Sequence, residues 1–177
     1  MIDAGGYGKA LLELACENKN DAQVRDEVKL VREVLRKNPA YITLMDTPAV
    51  SAEEKLRMLE EAFGGVDPML KNFLCILCEK RAFYQFDACA DAFMKNYDEL
   101  HEILRATAIT AVPMSKKQQE ALRTKLASLT GKTVELSYIT DPAVLGGVTL
   151  RYGGVQLDGS LQTRLESLRR SLAETIV

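Results

Sequence analysis

The chain changes character at Ala106-Thr107-Ala108-Ile109-Thr110-Ala111-Val112, a stretch that is rich in β-forming residues and carries no charge. Such a stretch predicts a β-strand. From residue 5 to about residue 104, in contrast, apolar residues recur at helical spacing. The change of pattern predicts two domains, residues 1–104 and residues 105–177.

Six helices are predicted before this change. The second is sharply one-sided, because its valines and leucine at 24, 28, 31 and 35 fall on one face. Ser51, with Glu54 three residues later, has the capping-box pattern that begins a fourth helix. A long apolar stripe marks the sixth helix and consists of Phe86, Ala90, Phe93, Tyr97, Leu100 and Leu104. We therefore expect a mainly α chain that opens with a six-helix N-terminal bundle.

The fifth predicted helix has an unusually wide apolar surface. Asp67 suits its N-cap and Pro68 its first helical position. One stripe is formed by Leu70, Phe73, Leu74 and Leu77. Met69 and Ile76 extend this stripe around the cylinder, beyond the width that a simple surface helix needs. The pattern predicts that the fifth helix contacts two neighbours.

After the change, the pattern is typical of a small α+β C-terminal domain. A helix that begins at Ser115 and ends at Gly131 is followed by a strand centred on Leu136, in which apolar and polar residues alternate. Two further strands form a predicted hairpin across Gly153-Gly154. A last helix carries a stripe of leucines at 161, 165, 168 and 172.

Composition excludes several classes of function. The net charge of −2 provides no general field for holding nucleic acid. The N-terminal residues have neither a signal peptide nor a transit peptide pattern. The longest apolar cluster, residues 73–78, is far shorter than the roughly 20 residues that span a bilayer. We expect contact with a membrane only indirectly, through a partner.

The sequence offers few groups for catalysis. His101 is the only histidine, and no glycine cluster has the spacing of a phosphate-binding loop. Cys75 and Cys78 form a Cys-x-x-Cys pair, but no strand or turn precedes them and no second pair follows. The pair is typical of helix packing, and we expect no catalytic, cofactor or metal site.

A family resemblance is carried by Asp141-Pro142-Ala143-Val144-Leu145-Gly146-Gly147-Val148-Thr149-Leu150-Arg151-Tyr152-Gly153 and continues through residues 157–172. This stretch closely resembles the signature of the F-type ATP synthase delta subunit family, which includes the mitochondrial oligomycin-sensitivity-conferring protein. Residues 7–11, 72–74 and 110–115 resemble further family motifs in the same order. Gly8 stands where the family usually has alanine.

The resemblance implies a fold and a function. Members have a six-helix N-terminal bundle and a smaller C-terminal domain, as the periodicity also predicts. In this family, the bundle binds the N-terminal helices of alpha subunits through its first and fifth helices, and the C-terminal domain holds the C-terminal region of the b subunits. The chain would then be a non-catalytic stator subunit on the cytoplasmic face of the bacterial cell membrane. It would keep the catalytic head from rotating during proton-driven ATP synthesis.

The resemblance also implies which residues bind a partner. The expected partner-binding residues are Tyr7, Ala10, Leu11, Leu14, Met69, Asn72, Phe73 and Ile76. Burial in the core is the alternative for Tyr7, Met69 and Ile76. Two other functions stay open from the sequence: a thiol-dependent redox enzyme built on Cys75 and Cys78, and an unrelated helical scaffold.

Overall fold

A computed structural model describes residues 2–142, 144, 147–152 and 155–158 of the chain. The chain divides into two compact units, Met1–Glu99 and Leu100–Val177. This division falls a few residues before the one that the sequence pattern predicts.

The described residues contain seven α-helices, one 3₁₀ turn and four strands. The helices are α1 (Ala4–Glu17), α2 (Asp21–Lys37), α3 (Pro39–Asp46), α4 (Ala52–Phe63), α5 (Pro68–Glu79), α6 (Phe86–Leu100) and α7 (Lys116–Thr130), and the 3₁₀ turn is Phe83–Gln85. The strands are β1 (Ile103–Thr110), β2 (Thr133–Thr140), β3 (Val148–Tyr152) and β4 (Val155–Asp158). The predicted mainly helical class is confirmed. The exact count of six helices is not confirmed, because the described residues contain seven. Helices α1 to α6 precede β1, and the seventh, α7, lies in the second unit.

Side chains at the predicted caps fix where the helices begin. Ser51 Oγ accepts a hydrogen bond from the amide of Glu54 at 3.2 Å. Asp67 Oδ1 accepts one from the amide of Met69 at 2.8 Å, and Pro68 occupies the first turn of α5. Each cap satisfies an amide that has no partner inside its helix. Ser115 and Gln118 form a complete capping box at the start of α7.

The core of the first unit is built from one-sided helices. On α2 the buried residues are Val24, Val28, Val31 and Leu35, as the spacing predicts. Helix α5 packs against both α1 and α4, so the prediction of two neighbours is confirmed. Its buried residues are Leu70, Phe73, Leu74, Leu77 and Cys78. The wide apolar surface of α5 therefore serves partly to fill the core between two helices.

Gly8 allows α1 to approach α6 closely. A Cβ atom placed on Gly8 would lie 2.8 Å from the Cβ of Ala92 and 2.8 Å from the amide nitrogen of Phe93, and nearer still to the carbonyl oxygen of Cys89. Real Cβ atoms do not make such contacts. The departure from the usual alanine thus has a physical reason in this chain, since only glycine fits at this approach of two helix backbones.

Ion pairs connect the outer surfaces of α2 and α6. Arg32 Nε lies 2.7 Å from Asp87 Oδ1, and its Nη2 lies 2.5 Å from Asp91 Oδ1. Arg36 Nε lies 3.0 Å from Asp87 Oδ1. Hydrogen bonds from Arg32 and Arg36 hold the pKa of Asp87 at about 2, below its usual value of 3.8. The charged face of α2 therefore contacts α6 as well as solvent.

The second unit contains a four-stranded sheet with the order β2-β1-β3-β4. Strands β1 and β2 are parallel, with Ala108 opposite Tyr138, and α7 connects them. Strand β3 is antiparallel to both β1 and β4. The α+β character predicted for this part of the chain is confirmed for its described residues.

Two predicted boundaries near residue 104 are wrong. Helix α6 ends at Leu100, and Leu104 lies in β1 instead of on the apolar stripe of the sixth helix. Glu102 has a φ of +51°, which ends the helical path, and its carbonyl accepts a hydrogen bond from the amide of Thr133. Strand β1 then pairs with β2 from Ile103 onward. The strand ends at Thr110, so Val112, which the sequence pattern placed in the strand, lies outside it.

Two predicted features lie outside the described residues. One is the Gly153-Gly154 turn, although the antiparallel pairing of β3 with β4 on either side of it matches the predicted hairpin. The other is the last helix with its leucines at 161, 165, 168 and 172.

Candidate functional site

Helices α1 and α5 pack side by side in the first unit. Near the end of α1, the side-chain amide of Asn18 lies 3.9 Å from the sulfur of Met69 at the start of α5. Near the start of α1, the ring of Tyr7 lies 6.4 Å from the ring of Phe73, centroid to centroid. The C-terminal end of α1 is therefore beside the N-terminal end of α5, and the two helices present a continuous strip of side chains.

Six of the eight predicted partner-binding residues remain accessible on this strip, which we name the α1–α5 face. It consists of Tyr7, Ala10 and Leu14 on α1 and of Met69, Asn72 and Ile76 on α5. On each helix, spacings of three and four residues place these side chains on one flank. The structure thus brings together residues that are more than 50 positions apart in the sequence.

The other two predicted residues belong to the core. Leu11 and Phe73 are buried, so neither can be a main contact surface for a partner. Phe73 lies between the rings of Tyr7 and Phe86, with centroid distances of 6.4 Å to each. These two side chains form the layer beneath the α1–α5 face, and they hold its helices in place.

Exposure distinguishes the two sequence interpretations of Ile76. The side chain is 41% exposed, and Leu14 on the opposite helix is 48% exposed. Tyr7 and Met69 are partly buried. Burial of Ile76 in the core, which the sequence left open, is therefore wrong. Large apolar side chains that stay exposed on neighbouring helices are compatible with an interaction surface.

None of the six side chains of the α1–α5 face is charged. The nearest ion pair on α1 joins Lys9 and Glu13 at 3.6 Å, and both of these side chains are exposed. Asn18, which the sequence pattern did not single out, adds an amide at one end of the face through its contact with Met69. Its position one residue after the last turn of α1 is the only sequence signal that could have indicated it.

The cysteine pair does not have the properties of a redox site. Burial raises the pKa of both the Cys75 and the Cys78 thiols. The Cys78 thiol donates a hydrogen bond to the carbonyl of Met45, with 3.7 Å between sulfur and oxygen. A reactive thiol needs a lowered pKa and access to solvent, so these surroundings are opposite to those of a nucleophile.

The part of the chain that the structure describes offers little other chemistry. His101 is exposed. No three His, Cys, Asp or Glu side chains of the described residues come together as ligands for a metal ion. Among the described helices, none combines the length and the apolar character that a membrane crossing requires.

Comparison with known protein sequences gives a consistent result. The family model for the ATP synthase delta (OSCP) subunit matches residues 4–172. The ATP synthase subunit delta of a Geobacillus strain is 32% identical over 97% of this chain and 97% of its own length. The ATP synthase subunit delta of Beijerinckia indica is 32% identical over 97% of this chain and 92% of its own length.

One solved structure shares the fold. A chain in the cryo-EM structure of the Toxoplasma gondii mitochondrial ATP synthase hexamer superposes with a TM-score of 0.73. The match covers 98% of both chains at 24% sequence identity. At that identity the likeness supports the fold.

Proposed function

Because the chain belongs to the ATP synthase delta (OSCP) subunit family, we propose that its α1–α5 face binds the N-terminal helix of an alpha subunit. The single observation that carries this proposal is the exposed, uncharged strip formed by α1 and α5. Its accessible residues are Tyr7, Ala10, Leu14, Met69, Asn72 and Ile76.

Membership of the family establishes the general role. The chain is a non-catalytic subunit of F-type ATP synthase and a component of its peripheral-stalk stator. The catalytic head experiences torque from the rotating shaft, so the stator must hold the head by contacts that do not slip. A large apolar contact between helices meets this requirement, because it is stable without depending on salt.

The dimensions of the face suit an amphipathic helix. Helix α5 has 12 residues and α1 has 14, so the two helices that carry the face are roughly 18–21 Å long at 1.5 Å per residue. A partner helix of about 12–14 residues would cover it, with apolar residues at i, i+3, i+4 and i+7 against Leu14 and Ile76. The Tyr7 hydroxyl and the Asn72 amide lie where they can hydrogen-bond to polar groups at the edge of such a helix.

We further propose that the second unit holds the C-terminal region of the b subunits. The support for this assignment is the division of the chain into two compact units together with its family membership. We also propose that the assembled chain is located at the cytoplasmic face of the bacterial cell membrane. The bacterial relatives and the indirect membrane contact expected from the sequence support this location.

Separate fragments test the division of labour. Residues 1–99 and residues 100–177 follow the boundary between the units and leave β1 intact, whereas a cut after residue 104 would divide this strand. Calorimetric titration with the alpha peptide, a synthetic peptide of the N-terminal helix of the alpha subunit, should give saturable binding to the first fragment and none to the second. A peptide from the C-terminal region of the b subunits should show the reverse preference.

The outcomes separate the proposals. Equal binding of the alpha peptide by both fragments would refute the division. Binding of the alpha peptide to the second fragment alone would refute the assignment of the α1–α5 face. Circular dichroism of each fragment provides the control, because a fragment must be folded before its lack of binding has a meaning.

A further inference from the structure

A second candidate site lies in the first unit, away from the α1–α5 face. A cleft of about 340 Å³ is bordered by the start of α4, the end of α5 and the segment before α4. This volume is at the lower end of the range for small-molecule sites. Its apolar wall includes Pro48, Val50 and Leu56, and its polar groups include Ser51, Lys55 and Arg81.

Lys55 is the unusual residue of this cleft. Only 6% of its surface is exposed, and it shares one side of α4 with the buried Leu59 and Phe63. Among the described residues, its ammonium group has no hydrogen-bond or ion-pair partner. A lysine can bury its aliphatic stem while its charged end stays hydrated, so Lys55 presents its ammonium group to the cleft without a protein partner among these residues.

The neighbouring groups do not neutralise Lys55. Burial raises the pKa of the Cys78 thiol even though the Lys55 ammonium acts in the opposite direction, so this thiol stays protonated at neutral pH. The Asp46 carboxylate is already engaged by the amides of Phe83 and Tyr84, both at 2.8 Å. Glu79 borders the cleft from an exposed position and makes no ion pair with Lys55.

Two further features favour an anion at this place. The start of α4 lines the cleft through Ser51 and Ala52, and the first amides of a helix lack partners inside it and attract negative charge. Arg81 contributes an exposed guanidinium group, which is suited to a phosphate or a carboxylate. Glu53 and Glu54 follow in the first turn, so an anion has to bind on the Lys55 and Arg81 side.

We propose that this cleft binds a small organic phosphate. The phosphate contacts the Lys55 ammonium, the Arg81 guanidinium and the Ser51 hydroxyl, and a short carbon body lies against Pro48, Val50 and Leu56. Two cations and a helix N-terminus suit a dianion better than a monoanion. The site is separate from the surface proposed to bind the alpha subunit, because none of its lining residues belongs to the α1–α5 face.

Calorimetric titration of the full chain with monobutyl phosphate, inorganic phosphate and 1-butanol at constant ionic strength tests the proposal. Monobutyl phosphate should bind saturably and at least about tenfold more tightly than inorganic phosphate, and 1-butanol should not bind. Lys55→Met should weaken the binding of monobutyl phosphate at least tenfold, and Arg81→Gln should weaken it severalfold. Lys80→Met is the matched control, because it removes an exposed charge outside the cleft and should change nothing.

Three results would overturn the proposal. These are no saturable binding of monobutyl phosphate, equal affinity for inorganic phosphate, and unchanged affinity in Lys55→Met. Thermal melting without ligand shows that each variant is folded, and Arg81→Gln keeps the test valid if Lys55→Met does not fold. All of these variants should bind the alpha peptide with the wild-type affinity. If the phosphate site is refuted, the proposed binding of the alpha subunit can therefore still be tested separately.

Discussion

Replacing Ile76 by aspartate gives the sharpest test of the α1–α5 face, because the structure predicts a small effect on folding and a large one on binding. Ile76 is 41% exposed, so a carboxylate at this position stays hydrated in the free protein. Aspartate is a slightly poorer helix former, and a negative charge in the last turn of α5 opposes the helix dipole by about 0.3–1 kcal/mol. Lys80, four residues later, offsets part of this cost. A loss of about 1 kcal/mol would lower the Tm of a unit of about 100 residues by roughly 4–8 °C.

The effect on binding should be much larger. An apolar partner helix would cover position 76 and remove water from the new carboxylate. Burying that charge without a partner costs about 3 kcal/mol or more, which corresponds to at least a hundredfold loss of affinity. Ile76→Ala removes the apolar contact without adding charge, so it should cost only about 1 kcal/mol and less than about tenfold in affinity.

Calorimetric titration with the alpha peptide and a thermal melt of each variant provide the two readouts. Leu30→Asp is the matched control, since Leu30 is 57% exposed on α2 and lies outside the α1–α5 face. It should melt near the wild-type temperature and bind the peptide normally. The reasoning is refuted if Ile76→Asp binds as well as Leu30→Asp, or if it fails to fold.

Three further predictions concern stability and reactivity. Gly8→Ala should lower the free energy of unfolding in urea by about 1–3 kcal/mol, because the added methyl group meets the backbone of α6. This cost exceeds the gain from the better helix propensity of alanine, and a stabilised variant would contradict the close approach of the two helices. Asp87, half exposed with a folded pKa of about 2, should contribute about 1 kcal/mol after allowance for solvent screening. Since this pKa is below the unfolded value of 3.8, the contribution is present above about pH 4 and is lost as the pH falls towards 2. Between about pH 4 and pH 2, the free energy of unfolding measured in urea should therefore fall less for Asp87→Asn than for the wild type. An equal fall in both proteins would argue against the ion pairs. At about pH 7, Cys75 and Cys78 should react with a thiol reagent more slowly than a free cysteine, because burial raises the pKa of each thiol. Both should react fully once the chain is unfolded in urea. Fast labelling of the folded chain would support the redox alternative instead.

Much of the first unit could be predicted from local patterns. The one-sided spacing on α2 identified its four buried residues, and the wide stripe on α5 predicted two neighbours. These features follow from helix geometry alone, so a single sequence carries them. The boundary near residue 104 could not be predicted in this way. Tyr97, Leu100 and Leu104 fit a helical stripe, but pairing with β2, about 30 residues later, makes Leu104 part of a strand.

The residues of the site show the same limit. Helical spacing placed Leu11 and Leu14 on one side of α1, yet the packing of the surrounding helices decides that Leu11 is buried and Leu14 exposed. The requirement for glycine at position 8 depends on a helix that begins almost 80 residues later. Lys55 shares the spacing of Leu59 and Phe63, but its charge favours an exposed position when the sequence is taken alone. Contacts between distant segments decide each of these cases.

Photo-crosslinking within the assembled F-type ATP synthase tests the central claim most directly. A photoreactive phenylalanine analogue at position 76 lies on the α1–α5 face, and the same analogue at position 30 lies on an exposed part of α2. Mass spectrometry of the crosslinked product should identify the N-terminal segment of an alpha subunit for position 76 and not for position 30. Crosslinks from position 76 to a different subunit, or equal crosslinking to that alpha segment from both positions, would contradict the account.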